Sequence, residues 1–115
     1  MNHVVQHSTH LDAGFSALSD GTRRGILQRL GRGSASITDL ASTFDMTLTG
    51  MKKHVRILED AGLVTTEKIG RVRQCSLGRH RLDEETKWIE SYREMVESRL
   101  DRLEDFLERT KGKSS

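Results

Sequence analysis

Short apolar clusters alternate with polar breaks along this chain, and the spacing inside each cluster predicts its element. Leu11, Phe15 and Leu18 recur at helical intervals and predict a short first helix. Ser19-Asp20-Gly21 offers a fresh N-cap, and Ile26, Leu27 and Leu30 carry a second helix into the glycine-rich stretch GRGS at 31–34. Ser36 and Asp39 stand at S-x-x-D spacing, a capping-box-like start for a third helix through Leu40 and Phe44. Thr47 is placed to cap a fourth helix running to about Ala61, and Gly62 is the expected helix-ending residue. The period then changes. Leu63–Lys68 and Val72–Leu77 are β-branched or alternating, and Ile69-Gly70-Arg71 between them predicts a two-stranded hairpin. From Leu82 the helical spacing returns and persists through Ile89, Tyr92, Val96, Leu100, Leu103 and Leu107, with Trp88, Met95 and Phe106 widening the stripe. An amphipathic helix of about seven turns is too long to pack wholly on so small a domain.

The fourth helix carries two unlike sides. At about 100° per residue, Met51, Val55 and Leu58 fall together and face a core, while Thr49, Lys52, Lys53 and Arg56 fall opposite, within an arc of roughly 100°. The major groove of B-DNA admits a helix with such a front. Lysine and arginine attract phosphate whatever the sequence, and they can donate to guanine N7 and O6. Thr47, Leu48 and Thr49 lie at the helix start, where recognition helices touch bases; Leu48 can meet a thymine methyl or cover the neighbouring helix. The hairpin adds Gly70, Arg71 and Arg73, a tight turn with flanking arginines that suits a wing on the minor groove or backbone. Two consecutive short helices, a hairpin and a long helix predict a fold that is mostly α with a small β-hairpin, a winged helix-turn-helix.

Charge sharpens this picture. The chain has 115 residues, which points to one domain, with a formal net charge of +2. Residues 1–81 hold 12 Lys/Arg against 7 Asp/Glu, and residues 82–115 hold 7 against 10. A basic head joined to an acidic tail implies a polyanion partner for the head and another role for the tail. No apolar run approaches the roughly 18–20 residues of a membrane span. The opening MNHVVQHSTHLDAG lacks the basic start and apolar core of a signal peptide, and a single cysteine allows no intrachain disulfide, so a cytoplasmic location is expected. No phosphate-cradling loop, paired carboxylates or nucleophile–base constellation survives the helix assignment, and no catalytic residue or cofactor is expected.

The stretches ALSDGTRRGILQRL (17–30) and SITDLASTFDMTLTGMKKHVRILEDAGLVTTEKIGRVRQCSL (36–77), with the long last helix, resemble the ArsR/SmtB family of bacterial and archaeal transcriptional repressors. The resemblance covers about residues 11–110. It implies a homodimer that binds a double-stranded DNA operator, with long N- and C-terminal helices at the dimer interface. Leu11, Phe15, Trp88, Ile89, Tyr92, Met95, Val96, Leu100, Leu103 and Leu107 would then face a partner chain. On this basis residues 1–10 are a flexible tail, 11–81 the DNA-binding domain and 82–111 the dimerisation helix. Most of the family has a serine where this chain has Lys52, and often a small polar pair where it has Leu48-Thr49, so the operator sequence is not inherited from the resemblance.

Many members sense metals through paired cysteines in the first helix of the helix-turn-helix, or through Asp, His and Glu on the last helix. Here 36–44 (SITDLASTF) has no cysteine, and 82–111 has neither histidine nor cysteine. The chain therefore resembles the metal-independent branch, whose release from DNA falls to another effector or to none. Two features keep a metal- or redox-responsive repressor in view: Cys75 in the second wing strand, and His3, His7 and His10, whose spacing of 4 and 3 would align three imidazoles on one helical face. A winged helix used for protein contact is the alternative from another class, and the basic front of the fourth helix weighs against it.

Overall fold

The computed structural model describes residues 9–113, which divide into two units after Leu82. His3, His7 and nearly all of the expected N-terminal tail lie outside the described residues.

The first unit contains α1 (Thr9–Leu18), α2 (Gly21–Leu30), β1 (Ala35–Ser36), α3 (Ile37–Thr43), α4 (Leu48–Asp60), β2 (Val64–Ile69) and β3 (Val72–Leu77). Three of its helices start on the same device. The Asp20 carboxylate, the Ser36 hydroxyl and the Thr47 hydroxyl each accept a hydrogen bond from the backbone N–H three residues on, at 3.1, 3.0 and 3.0 Å. Each cap satisfies one of the orphan donors that a helix N-terminus leaves exposed. Between α3 and α4 the chain turns in four residues, Phe44 to Thr47. Asp45 takes the left-handed conformation at φ 52°, and the Met46 N–H donates to the Ala41 carbonyl at 2.9 Å. Gly62 ends α4 in the same region, at φ 78°.

The core is assembled around α4, which packs against α1, α2, α3 and β2. Met51, Val55 and Leu58, spaced 4 and 3, are wholly or almost wholly buried. They meet Ile26 and Leu30 of α2, Ile37, Leu40 and Ala41 of α3, and Val64 and Cys75 of the sheet. Each large apolar side chain buried in this way contributes about 1.5–3 kcal/mol. Two close approaches admit no side chain. A Cβ on Gly25 would enter the Phe44 ring, and one on Gly78 would run into the Gly62 carbonyl. Gly78 sits there because its N–H donates to the Leu63 carbonyl at 2.8 Å, holding the exit of β3 against the end of α4.

The expected two-stranded hairpin is a three-stranded antiparallel sheet in the order β1-β3-β2. β2 and β3 pair in the register Val64↔Leu77 through Ile69↔Val72, and β1 adds Ala35↔Cys75 and Ser36↔Gln74 on the far edge of β3. A two-residue strand has no periodicity of its own, so nothing local marks it. Ser36 serves twice, as the last residue of β1 and the N-cap of α3.

The second unit is one helix, α5 (Asp83–Lys113), whose first turn carries Asp83, Glu84 and Glu85 where the helix dipole favours negative charge. Trp88, Ile89, Tyr92, Met95, Leu100, Leu103, Phe106 and Leu107 are each 45–61% exposed in the single chain. Trp88 and Tyr92 stack one turn apart, ring centroids 5.7 Å from each other.

Leu58 is fully buried at the centre of this packing. Leu58→Ala is expected to lower unfolding free energy by about 2–5 kcal/mol in urea denaturation. A loss below about 1 kcal/mol would contradict the packing described.

Candidate nucleic-acid interface

Because its apolar side is fixed inward, α4 turns its remaining sides to solvent. Thr47, Leu48, Thr49, Lys52, Lys53 and Arg56 are all exposed. Histidine 54 departs from its cationic neighbours. Its Nδ1 lies 3.2 Å from Arg23 Nη1 and 3.9 Å from Asp20 Oδ2. The Arg23 contact uses Nδ1 as an acceptor, because a guanidinium can only donate, whereas the Asp20 contact is an ion pair when the ring is protonated. Arg23 also donates from Nε to the Ala17 carbonyl and from Nη2 to the Ser16 carbonyl, both at 2.9 Å. One side chain thus joins the end of α1, the start of α2 and the middle of α4.

The hairpin closes on Gly70 at φ 64°, a conformation glycine adopts without strain. Arg71 and Arg73 are exposed. Successive strand residues face opposite ways, so Arg73 shares a face with buried Cys75, the face turned towards the helices. A groove of about 440 Å³ runs between α4 and the wing, lined by Ile37, Lys52, Val55, Arg56, Glu59, Asp60, Thr66 and Arg73. Lys52, Arg56 and Arg73 therefore come together, while Thr49, Lys53, Gly70 and Arg71 lie outside that groove. The wing holds a cation that the sequence reading passed over. Lys68 stands directly opposite Arg73 in the sheet register. Like charges in that position destabilise a sheet. The signal was available, since a turn centred on Gly70-Arg71 sets that pairing.

Two titrating groups carry a clear electrostatic signature. The Arg23 N–H, aided by the charges of His54 and Arg23 and opposed by desolvation, holds the Asp20 carboxyl below its ordinary 3.8. Burial pushes the Cys75 thiol up, Glu59 adds to the rise, and Arg73 offsets part of it. A raised pKa favours the inert thiol over the thiolate that redox chemistry requires. Among the described residues no group of three His, Cys, Asp or Glu side chains is arranged to hold a metal ion. His10 is exposed near the start of α1. No helix of the described residues is long and apolar enough to cross a membrane.

A capped two-helix turn with an exposed basic second helix and a basic hairpin beside it defines the winged helix-turn-helix class of transcriptional regulators. Comparison with known proteins leads to the same class. A helix-turn-helix domain profile matches residues 18–67. An uncharacterized HTH-type transcriptional regulator, YuzN of Bacillus subtilis (strain 168), is 38% identical over 87 residues, covering 69% of this chain and 95% of its own. The transcriptional repressor SdpR of the same organism is 31% identical over 75 residues, covering 65% of this chain and 83% of its own. The crystal structure of an ArsR family transcriptional regulator, RHA00566, superposes with a TM-score of 0.72 at 41% identity, covering 81% of this chain and 96% of that one. The chain belongs to the ArsR family of HTH-type transcriptional regulators. Its relatives are regulators rather than enzymes.

Because the folded-state pKa of Asp20 is depressed, its contribution to stability is present above pH 3.8 and is lost as pH falls through the lower folded value. Asp20→Asn keeps an acceptor at the cap and removes the charge. Its melting temperature is expected to fall less steeply than that of wild type as the medium is acidified below about pH 5. Parallel acid limbs for the two proteins would show that the Asp20 charge is not used.

Proposed function

We propose that the chain is an operator-blocking homodimeric repressor that reads double-stranded DNA with α4 and contacts the adjacent groove or backbone with its wing. The observation that carries this reading is the exposed cationic side of α4, opposite its buried Met51–Val55–Leu58 side. Thr47, Leu48, Thr49, Lys52, Lys53 and Arg56 form the helix part of the contact, and Gly70, Arg71 and Arg73 the wing part, joined by Lys68. A wing that tolerates Lys68 opposite Arg73 is better matched to a polyanion than to a neutral protein surface. Residues 11–81 act as the DNA-binding unit and 82–111 as the dimerisation helix. The exposed α5 stripe supports pairing with a second copy, joined by Leu11 and Phe15 of α1 and by Val96. Repression by steric blocking needs no further surface, and similarity to a named repressor agrees with it. Cysteine is absent from 36–44, and histidine and cysteine from 82–111, which supports the metal-independent branch.

Fragments of the source genome selected on the protein supply the duplex for titration. Lys52→Ala is expected to weaken binding to that duplex by about 1–3 kcal/mol with little effect on random DNA if it reads a base, and to weaken both alike if it contacts phosphate. No loss on either DNA would remove Lys52 from the interface. Wild-type affinity is expected to drop steeply with salt, in proportion to the phosphates neutralised. A flat salt response would point instead to a protein partner. Leu103→Glu places a charge in the α5 stripe and is expected to convert dimer to monomer in sedimentation. An unchanged dimer would contradict that interface.

A further inference from the structure

We infer that Thr66 and Glu59 are positioning residues for DNA binding, holding the Arg73 guanidinium over the groove beside Lys52 and Arg56 to receive a backbone phosphate of the duplex. This rests on the operator-binding reading above. Arg73 Nη1 donates to Thr66 Oγ1 at 3.0 Å, and Thr66 Oγ1 donates to Glu59 Oε2 at 2.8 Å. The direction of this chain is fixed by chemistry. A guanidinium only donates and a carboxylate only accepts, so the hydroxyl between them does both. The relay spans three elements, with Glu59 on α4, Thr66 on β2 and Arg73 on β3, and so it locks the wing to the recognition helix.

The cations around the groove are poised for an outside anion. Glu59 and Asp60 line the same groove, yet among the described residues Lys52, Arg56 and Arg73 form no ion pair with any carboxylate. Glu59 reaches Arg73 only through the threonine hydroxyl, which orients the arginine without neutralising it at contact distance. One N–H of the fork is committed to Thr66, and the rest of the fork remains for phosphate, which arginine binds in bidentate fashion. An arginine held in place before binding has already lost rotamer freedom that an untethered one would lose on the DNA.

The test uses the full chain with Thr66→Val, which keeps the shape and removes the hydroxyl, and Thr66→Ser, which keeps the hydroxyl. Each is made in wild type and beside Arg73→Ala, with circular dichroism confirming the fold. Thr66→Val is expected to raise Kd for the selected duplex by roughly three- to tenfold, the range of one lost hydrogen bond. Thr66→Ser should stay near wild type, and Thr66→Val should cost nothing further once Arg73 is alanine. In the DNA-free protein, side-chain relaxation of Arg73 Nε should report a more ordered group in wild type and Thr66→Ser than in Thr66→Val. Wild-type affinity for Thr66→Val, the same loss in the Arg73→Ala background, or equal Arg73 order in all three proteins would overturn the tether. If wild type binds no duplex in a salt-dependent way, the operator reading fails, and with it the phosphate role of Arg73.

Discussion

Burial of Met51, Val55 and Leu58 fixes the rotation of α4 about its own axis, and the rest of the molecule depends on that rotation. A one-residue turn of this helix in one sense would drive Lys52, Arg56 and Glu59 into the core, where unpaired charge is prohibitively costly, and in the other sense would replace Met51 and Val55 by Gly50 and His54. The cationic side is therefore presented as a consequence of packing, with no separate device to aim it. Arg23 reinforces the same rotation from a second direction, because its contact with His54 ties the side of α4 to the α1–α2 junction.

The wing is aimed by a comparable logic. Cys75 and Val64 are buried on one face of the hairpin, so strand alternation places Arg73 and Lys68 further along that face. The two cationic surfaces, helix front and wing, are thus set by two hydrophobic anchors within one unit. The Glu59–Thr66–Arg73 relay then couples them through polar contacts at the solvent edge. Cys75 takes part in the first role as a small apolar residue, and burial raises its pKa, which disfavours the thiolate.

Much of this was legible in the sequence because it is written in local terms. Caps at Asp20, Ser36 and Thr47 follow from residue type and position, and the inward side of α4 follows from the spacing of Met51, Val55 and Leu58. The left-handed stop at Gly62 is equally local. What escaped was tertiary. β1 is two residues long and exists only because Ala35 and Ser36 meet β3. His54 reads as one more cation in KKHVR, and only the fold shows it turned to Arg23. Lys68 and Thr66 gain meaning from register and from the neighbouring helix, which no period reports. The choice of Lys52, Arg56 and Arg73 as a group likewise depends on the groove that brings helix and wing together.

The exposed stripe of α5 supplies a physical reason for two copies, because an amphipathic helix with an apolar side in water lacks the burial that stabilises it. Under the proposed function, residues 47–56 and the wing meet DNA. The most direct measurement is a backbone amide NMR titration of the full chain with a duplex from the genomic selection. Shifts are expected to concentrate at 47–56 and 68–73, with α5 unmoved. Shifts confined to the α5 stripe, with 47–56 unchanged at saturation, would contradict that function.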